Sequence, residues 1–275
     1  MKKDLTETAH TRIDGRAVRY MTAPPHAGGD AGDSPLELTT LLLHGLGCSC
    51  EVWQPTVRVM AERGLTCQVI AADMPGYGHS QGPREAMGME DLADWVARFL
   101  DDRQLSRVHV AGNSMGCQVA LALARRHPER VGGVVLQGPT TGDRLVPPWR
   151  YAIGLVADAF CETPAYNVRL MKMYTQMGPS RYLRTVKKML ADDPIRRANE
   201  VRAPCLVIRG GKDAIVSDRI ARRLTAALPD AVYVPLDNAA HAIEFNEPDD
   251  FVGAMITFLQ ATEKKLALAG SRAAA

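Results

Sequence analysis

The chain has 275 residues, 46% of them hydrophobic, enough to bury a large core. Its 33 basic and 31 acidic residues leave a formal net charge of +2, which gives no reason to expect nucleic acid or an anionic membrane as partner. Met1 to Glu7 has no apolar stretch behind its lysines and does not read as a secretory signal, and no run approaches the roughly 20 apolar residues of a membrane span, so the expectation is a soluble, cytoplasmic protein.

In chain order, Asp14-Gly15 between two alternating segments predicts a tight hairpin. Residues 23–35 are turn formers throughout and predict a surface loop. An alternation follows: a strand over 38–43, a helix over 53–62 ended by Gly64, a strand over 66–71, a helix over 89–102, a strand from Val108, a helix after Ser114 and a strand over 131–136. It resumes with a strand over 206–208, a helix near 217–228, a strand over 232–236 and a helix over 248–259. Continuous apolar strands alternating with amphipathic helices predict an α/β fold, a mostly parallel sheet covered by helices on both faces. Ligands of such sheets collect at the C-terminal ends of the strands.

Residues 140–197 break the alternation with helical stripes punctuated by proline. Trp149, Ile153, Val156 and Phe160 share one helical face; Leu170, Met171, Tyr174 and Met177 form a second stripe, and Tyr182, Val186 and Met189 a third. The organisation expected is a core of residues 1–139 and 198–265, a helical lid of 140–197, and a disordered tail of 266–275. Trp149, Ile153, Met171 and Tyr174 are the candidates for the substrate pocket, flexible methionines suiting an apolar substrate.

Six cysteines, at 48, 50, 67, 117, 161 and 205, are expected to be reduced structural thiols. Cys48-Ser49-Cys50 lacks the spacing and the second pair of a zinc site, so no metal is expected.

The chemistry concentrates in four strings. Gly112-Asn113-Ser114-Met115-Gly116 lies between a strand and a helix, the context of a nucleophile elbow, which lifts a serine hydroxyl clear of the sheet. A serine needs a base, and His241, flanked by alanines after a strand, is the candidate. Asp213, after the glycine pair at 210 and 211, is the candidate to orient that imidazole; Asp143 and Asp237 also follow strands, and the order Ser, Asp, His favours Asp213. His44-Gly45-Leu46-Gly47 closes the first long strand; the backbone N–H groups of Leu46 and Met115 are the candidate oxyanion donors, with His44 tying the loop. The string lacks the third glycine and the acid of a dinucleotide fingerprint. Asp73 to Ser80 has turn chemistry and no evident chemical role.

Together, HGLG at 44–47, DMPGYGHS at 73–80, GNSMG at 112–116, GGKDAIV at 210–216 and AAHAIEFNEP at 239–248 resemble the α/β-hydrolase superfamily, of the serine-nucleophile, helical-cap type. The resemblance implies Ser114 as nucleophile, Asp213 as acid, His241 as base, oxyanion donors at Leu46 and Met115, a helical cap at 140–197, and neither metal nor cofactor. Ser114 stands where haloalkane dehalogenases and many epoxide hydrolases carry aspartate. GNSMG also occurs in hydrolases of meta-ring-fission products, where a glycine and an aromatic residue typically stand at the positions of Cys117 and Ala242.

The function expected is cofactor-free hydrolysis of a carboxylic ester of a small to medium, largely apolar small-molecule substrate through an acyl-enzyme. The alternatives are carbon–carbon hydrolysis of a ring-fission product, lactone opening, or, of another class, a ligand receptor with negligible turnover.

Overall fold

The computed structural model describes residues 6–24, 36–63, 67–140 and 148–273, apart from the side chains at 148, 150–152, 270 and 272–273. Of the loop expected over 23–35, Ala23 ends the second strand and residues 25–35 lie outside the described residues, as do Gly64 and Asp143.

The hairpin forms from β1 (Glu7–Ile13) and β2 (Arg16–Ala23), turning through Asp14 at φ 50° and Gly15 at φ 75°. Both central residues need positive φ, which Asp-Gly tolerates. Then follow β3 (Thr40–Leu43), α1 (Gln54–Glu62), β4 (Val69–Ala72), α2 (Met89–Asp102), β5 (Val108–Asn113), α3 (Met115–Arg126) and β6 (Val131–Gln137). Four helices interrupt the alternation: α4 (Pro148–Ala159), α5 (Pro164–Met177), α6 (Pro179–Ala191) and α7 (Pro194–Arg197). The chain closes with β7 (Cys205–Gly210), α8 (Asp218–Ala227), β8 (Ala231–Leu236), α9 (Ile243–Asn246) and α10 (Pro248–Ala273). Among the described residues, five of the ten α-helices, α4 to α7 and α10, begin at proline, whose missing N–H costs nothing in the first turn.

The eight strands of the described residues form one sheet in the order β1-β2-β4-β3-β5-β6-β7-β8, parallel except that β2 runs antiparallel to both neighbours. Alternate residues of the central strands enter opposite layers. Leu41, Leu43, Val110 and Leu136 pack with Leu92 and Phe99 of α2 and Val119 and Leu123 of α3. Leu42, Ala111, Val135 and Ile208 pack with Trp53, with Met60 of α1, and with Phe251 and Met255 of α10. Strands buried on both faces read as continuous apolar runs, and that pattern marked them in the sequence.

The parallel register brings five strand ends to one edge. Leu43 stands opposite Gly112, Gly112 opposite Leu136, Gln137 opposite Ile208, and Gly210 opposite Leu236. The loops that leave this edge carry His44, Ser114, Gly138, Asp213 and His241. α4 to α6 roof the same edge: Tyr174 lies where a Cβ on Gly47 would come within 2.3 Å of its ring.

The last helix runs on to Ala273, beyond the expected helix end and through most of the expected disordered tail. Leucine and alanine from Leu266 onward favour helix strongly enough to carry it past Gly270. Among the described residues no helix is long and apolar enough to cross a membrane.

Candidate active site

Ser114 follows β5 directly and begins the turn into α3, with φ 53° and ψ −113°. A non-glycine residue at positive φ is strained, and the strain is held by close packing beneath it. A Cβ on Gly112 would meet the Gly116 carbonyl carbon at 2.5 Å, and one on Gly116 would meet the Leu43 carbonyl oxygen at 2.2 Å. The flanking glycines are therefore demanded by backbone contact with each other and with β3. Gly45 is constrained similarly, its missing Cβ lying 2.5 Å from Asn113 Oδ1. The HGLG loop and the elbow thus touch.

The structure places Ser114 and His241 on the lining of one cavity, with Asp213 hydrogen-bonded to the His241 ring. His241 and Asp213 are each 5% exposed, and Nδ1–H of His241 donates to Asp213 Oδ2 at 2.8 Å. The other oxygen, Oδ1, accepts the N–H groups of Ile215 and Val216, both at 2.8 Å, which fixes the carboxylate. Asp213 N–H donates to the Gly210 carbonyl, so the turn after β7 aims the side chain. Burial works against charging His241, but the charge and hydrogen bond of Asp213 prevail and raise its pKa to about 9. The other ring nitrogen, Nε2, is not engaged by Asp213. The exposed Asp237 does not share this arrangement.

The cavity is lined by Ser114 and His241, by Leu46 and Cys48 of the loop after β3, and by Tyr166 and Leu170 of α5 among others. Leu46 therefore reaches the cavity, and Met115 opens α3, whose first N–H groups have no partner within the helix. Of the four pocket candidates, Tyr174 lines the cavity. Trp149, Ile153 and Met171 do not; they are 61%, 60% and 63% exposed. The cause is rotation of α4 about its axis. Gly154 lies against the loop after β7, where a Cβ would stand 2.8 Å from the Ala214 carbonyl oxygen. That contact turns Gly154, Leu155 and Asp158 inward and the stripe from Trp149 to Phe160 outward. In α5 the inward stripe is Tyr166, Leu170, Met173, Tyr174 and Met177, one position round from Met171.

His44 is fully buried and holds its loop: Nδ1–H donates to the Gly45 carbonyl at 2.8 Å, and Nε2 accepts the Met74 N–H at 3.1 Å. Burial holds its pKa below the ordinary value, consistent with a neutral ring in this pattern. Five cysteines are buried and Cys161 is exposed; all are free thiols.

Sequence reasoning missed three groups. Asp73, fully buried, accepts the Cys50 N–H at 2.7 Å, the His79 N–H at 2.9 Å and Arg19 Nε–H at 2.7 Å. It pins the segment after the HGLG loop to β2 and to its own turn. Beneath the elbow, Asn113 Nδ2 donates to Gln137 Oε1 at 2.9 Å and to Glu244 Oε2 at 3.3 Å, while Gln137 Nε2 donates to the His241 carbonyl. Asp158 and Glu162 line the cavity as acids. Their only signal in the sequence is the spacing of Gly154, Asp158 and Glu162 by four residues. Among the described residues no group of three or more His, Cys, Asp or Glu side chains is placed to hold a metal ion.

The family model of the alpha/beta hydrolase fold matches residues 41–182. The chain is similar to a 2-hydroxy-6-oxononadienedioate/2-hydroxy-6-oxononatrienedioate hydrolase of Paraburkholderia phymatum, 29% identical over 249 residues that cover 80% of this chain and 86% of that protein. It is 30% identical over 243 residues to a pimeloyl-(acyl-carrier protein) methyl ester esterase of Aromatoleum aromaticum, covering 76% of this chain and 93% of the relative. Among solved structures, the enol-lactonase from Burkholderia xenovorans LB400 superposes with a TM-score of 0.72 at 25% identity, covering 91% of this chain and 99% of the other. With the elbow, the strand order and these matches in agreement, the chain belongs to the alpha/beta hydrolase fold family.

Proposed function

We propose that this hydrolase is a serine esterase that cleaves a carboxylic ester of a small to medium substrate through an acyl-enzyme. The observation that carries the reading is the hydrogen bond of His241 to buried Asp213, on a ring that lines the same cavity as the strained Ser114. Ser114 Oγ attacks the ester carbonyl carbon as His241 Nε2 takes its proton. Asp213 holds the tautomer and stabilises the imidazolium. The N–H groups of Leu46 and Met115 receive the oxyanion, each worth roughly 3 kcal/mol in the transition state. His241 then gives the proton to the departing alkoxide. Water, activated by the same imidazole, releases the acid and restores Ser114.

A second reading, carbon–carbon hydrolysis, is favoured by the similarity to the dienedioate hydrolase. That relative's name specifies a dicarboxylate. The cavity here presents the carboxyls of Asp158 and Glu162, and its described lining has neither Lys nor Arg. Like charges in a poorly solvated site repel, so the wall favours substrates without carboxylates. Parallel assays on nitrophenyl esters, lactones and a ring-fission dienol separate the readings. Ester turnover well above the other two is expected; faster cleavage of the dienol would transfer the assignment to the second reading.

A further inference from the structure

The inner face of the lid carries two acids that ester cleavage does not consume. Asp158 ends the inward face of α4 and Glu162 follows one turn later; they are 5% and 8% exposed and both line the cavity. Their partners differ. Glu162 Oε1 accepts the Ala242 N–H at 2.7 Å and Oε2 accepts the Asn246 side-chain amide, so Glu162 ties the lid to the loop that carries His241. Asp158 Oδ1, by contrast, is buried with no hydrogen-bond partner among the described residues. A buried carboxylate oxygen without a donor is costly, and a donor that enters the cavity relieves that cost. Burial pushes both carboxyls up, Glu162 to about 7, against the pull of the His241 imidazolium on the same cavity.

The geometry points to a binding site for the ammonium group of an amino-alcohol ester, with Asp158 Oδ1 accepting its N–H and Glu162 holding the lid in place beside it. The position of the ammonium rests on the esterase reading. His241 returns its proton to the leaving alcohol, so the alcohol lies on the imidazole side of the cavity. Asp158 stands on that side: its charge acts on His241 and Asp213. Glu162 grips the residue next to His241. The apolar acyl part then faces Leu46, Leu170 and Met189.

Two esters with the same heavy-atom skeleton test the site, 2-(dimethylamino)ethyl butyrate, protonated at pH 7, and 3-methylbutyl butyrate. Binding to Ser114→Ala is measured by calorimetry, and kcat/KM on the otherwise unaltered enzyme. The amine ester is expected to be preferred roughly tenfold or more in both. Asp158→Asn, which keeps the side-chain shape, should bring both ratios close to one. Glu162→Gln should lower turnover of the two esters alike. A ratio near one without the Asp158 change overturns the site, whatever the stability of the variants. So does a preference that survives Asp158→Asn, or an equal fall for both esters in that variant, which would leave Asp158 a packing role. If neither ester is cleaved yet the Asp158-dependent binding preference remains, the esterase reading fails and the ammonium site stands.

Discussion

Gly138 is the surface against which the His241 imidazole rests: a Cβ there would stand 2.8 Å from Cε1 and 2.9 Å from Nδ1 of that ring. The same atom would be 3.4 Å from Asp213 Oδ2, and Gly138 already has φ 55°. Gly138→Ala should therefore displace the ring and strain the turn together. Misplacing a reacting group by about 1 Å costs on the order of a hundredfold in rate, so kcat/KM for an ester should fall by at least that much. A thermal melt close to that of the unaltered protein would show that the loss belongs to the site.

In the proposed mechanism His241 is a base, a role open to it only when unprotonated. With its pKa raised to about 9, kcat/KM should fall as pH drops through a midpoint well above the ordinary 6.5. The groups that shape this midpoint are Asp213, Asp158 and Glu244, which favour the charged ring, and burial, which opposes it. Asp158→Asn should move the midpoint down. A pH profile centred at 6.5 or below in the unaltered enzyme would contradict the electrostatic picture.

Glu244 is fully buried, and burial, reinforced by the neighbouring Glu162 and Asp158, raises its pKa to about 8. Between pH 4.5 and 8 the folded protein keeps this proton while the unfolded chain releases it. The unfolding free energy contributed by the group is full below pH 4.5 and is lost as pH rises through 8, a fall on the order of 4 kcal/mol. Glu244→Gln should flatten that slope. Urea unfolding at pH 5 and pH 8, for both proteins, measures the difference.

Asp73 supports the segment after the HGLG loop from outside the cavity. Its hydrogen bonds from Arg19 and from the backbone hold its pKa low against the cost of burial. Asp73→Ala would leave the 9%-exposed Arg19 with Glu51 as its one remaining acidic partner and free the N–H groups of Cys50 and His79. Breaking a buried pair from one side costs about 3–5 kcal/mol, and denaturant unfolding should register a loss of that size. Asp73→Asn keeps one acceptor oxygen and should lose less.

The sheet and the catalytic candidates were legible because each writes a local pattern. Leu41 to Leu43 and Val108 to Ala111 are apolar on both faces, as doubly covered strands must be. Gly112, Ser114 and Gly116 encode the elbow in five residues. The lid was legible only as helices. Its apolar stripe at Trp149, Ile153, Val156 and Phe160 gave the wrong inward face, because hydrophobic periodicity locates a stripe and cannot tell which way a helix is turned. The turn was decided by Gly154 against Ala214, a contact between residues 60 apart in sequence. Asp158 and Glu162 were overlooked for the same reason: single acids, one on a helix and one in the turn after it, read as solvated until tertiary packing buries them.

The central claim is that Ser114 is an activated nucleophile. A fluorophosphonate probe reacts with such a serine and spares ordinary hydroxyls, so labelling followed by peptide mass analysis measures it directly. The prediction is one adduct, on the peptide containing Ser114, with ester hydrolysis lost in step and both absent in Ser114→Ala. Failure of the intact protein to label, or undiminished hydrolysis by Ser114→Ala, would contradict the account.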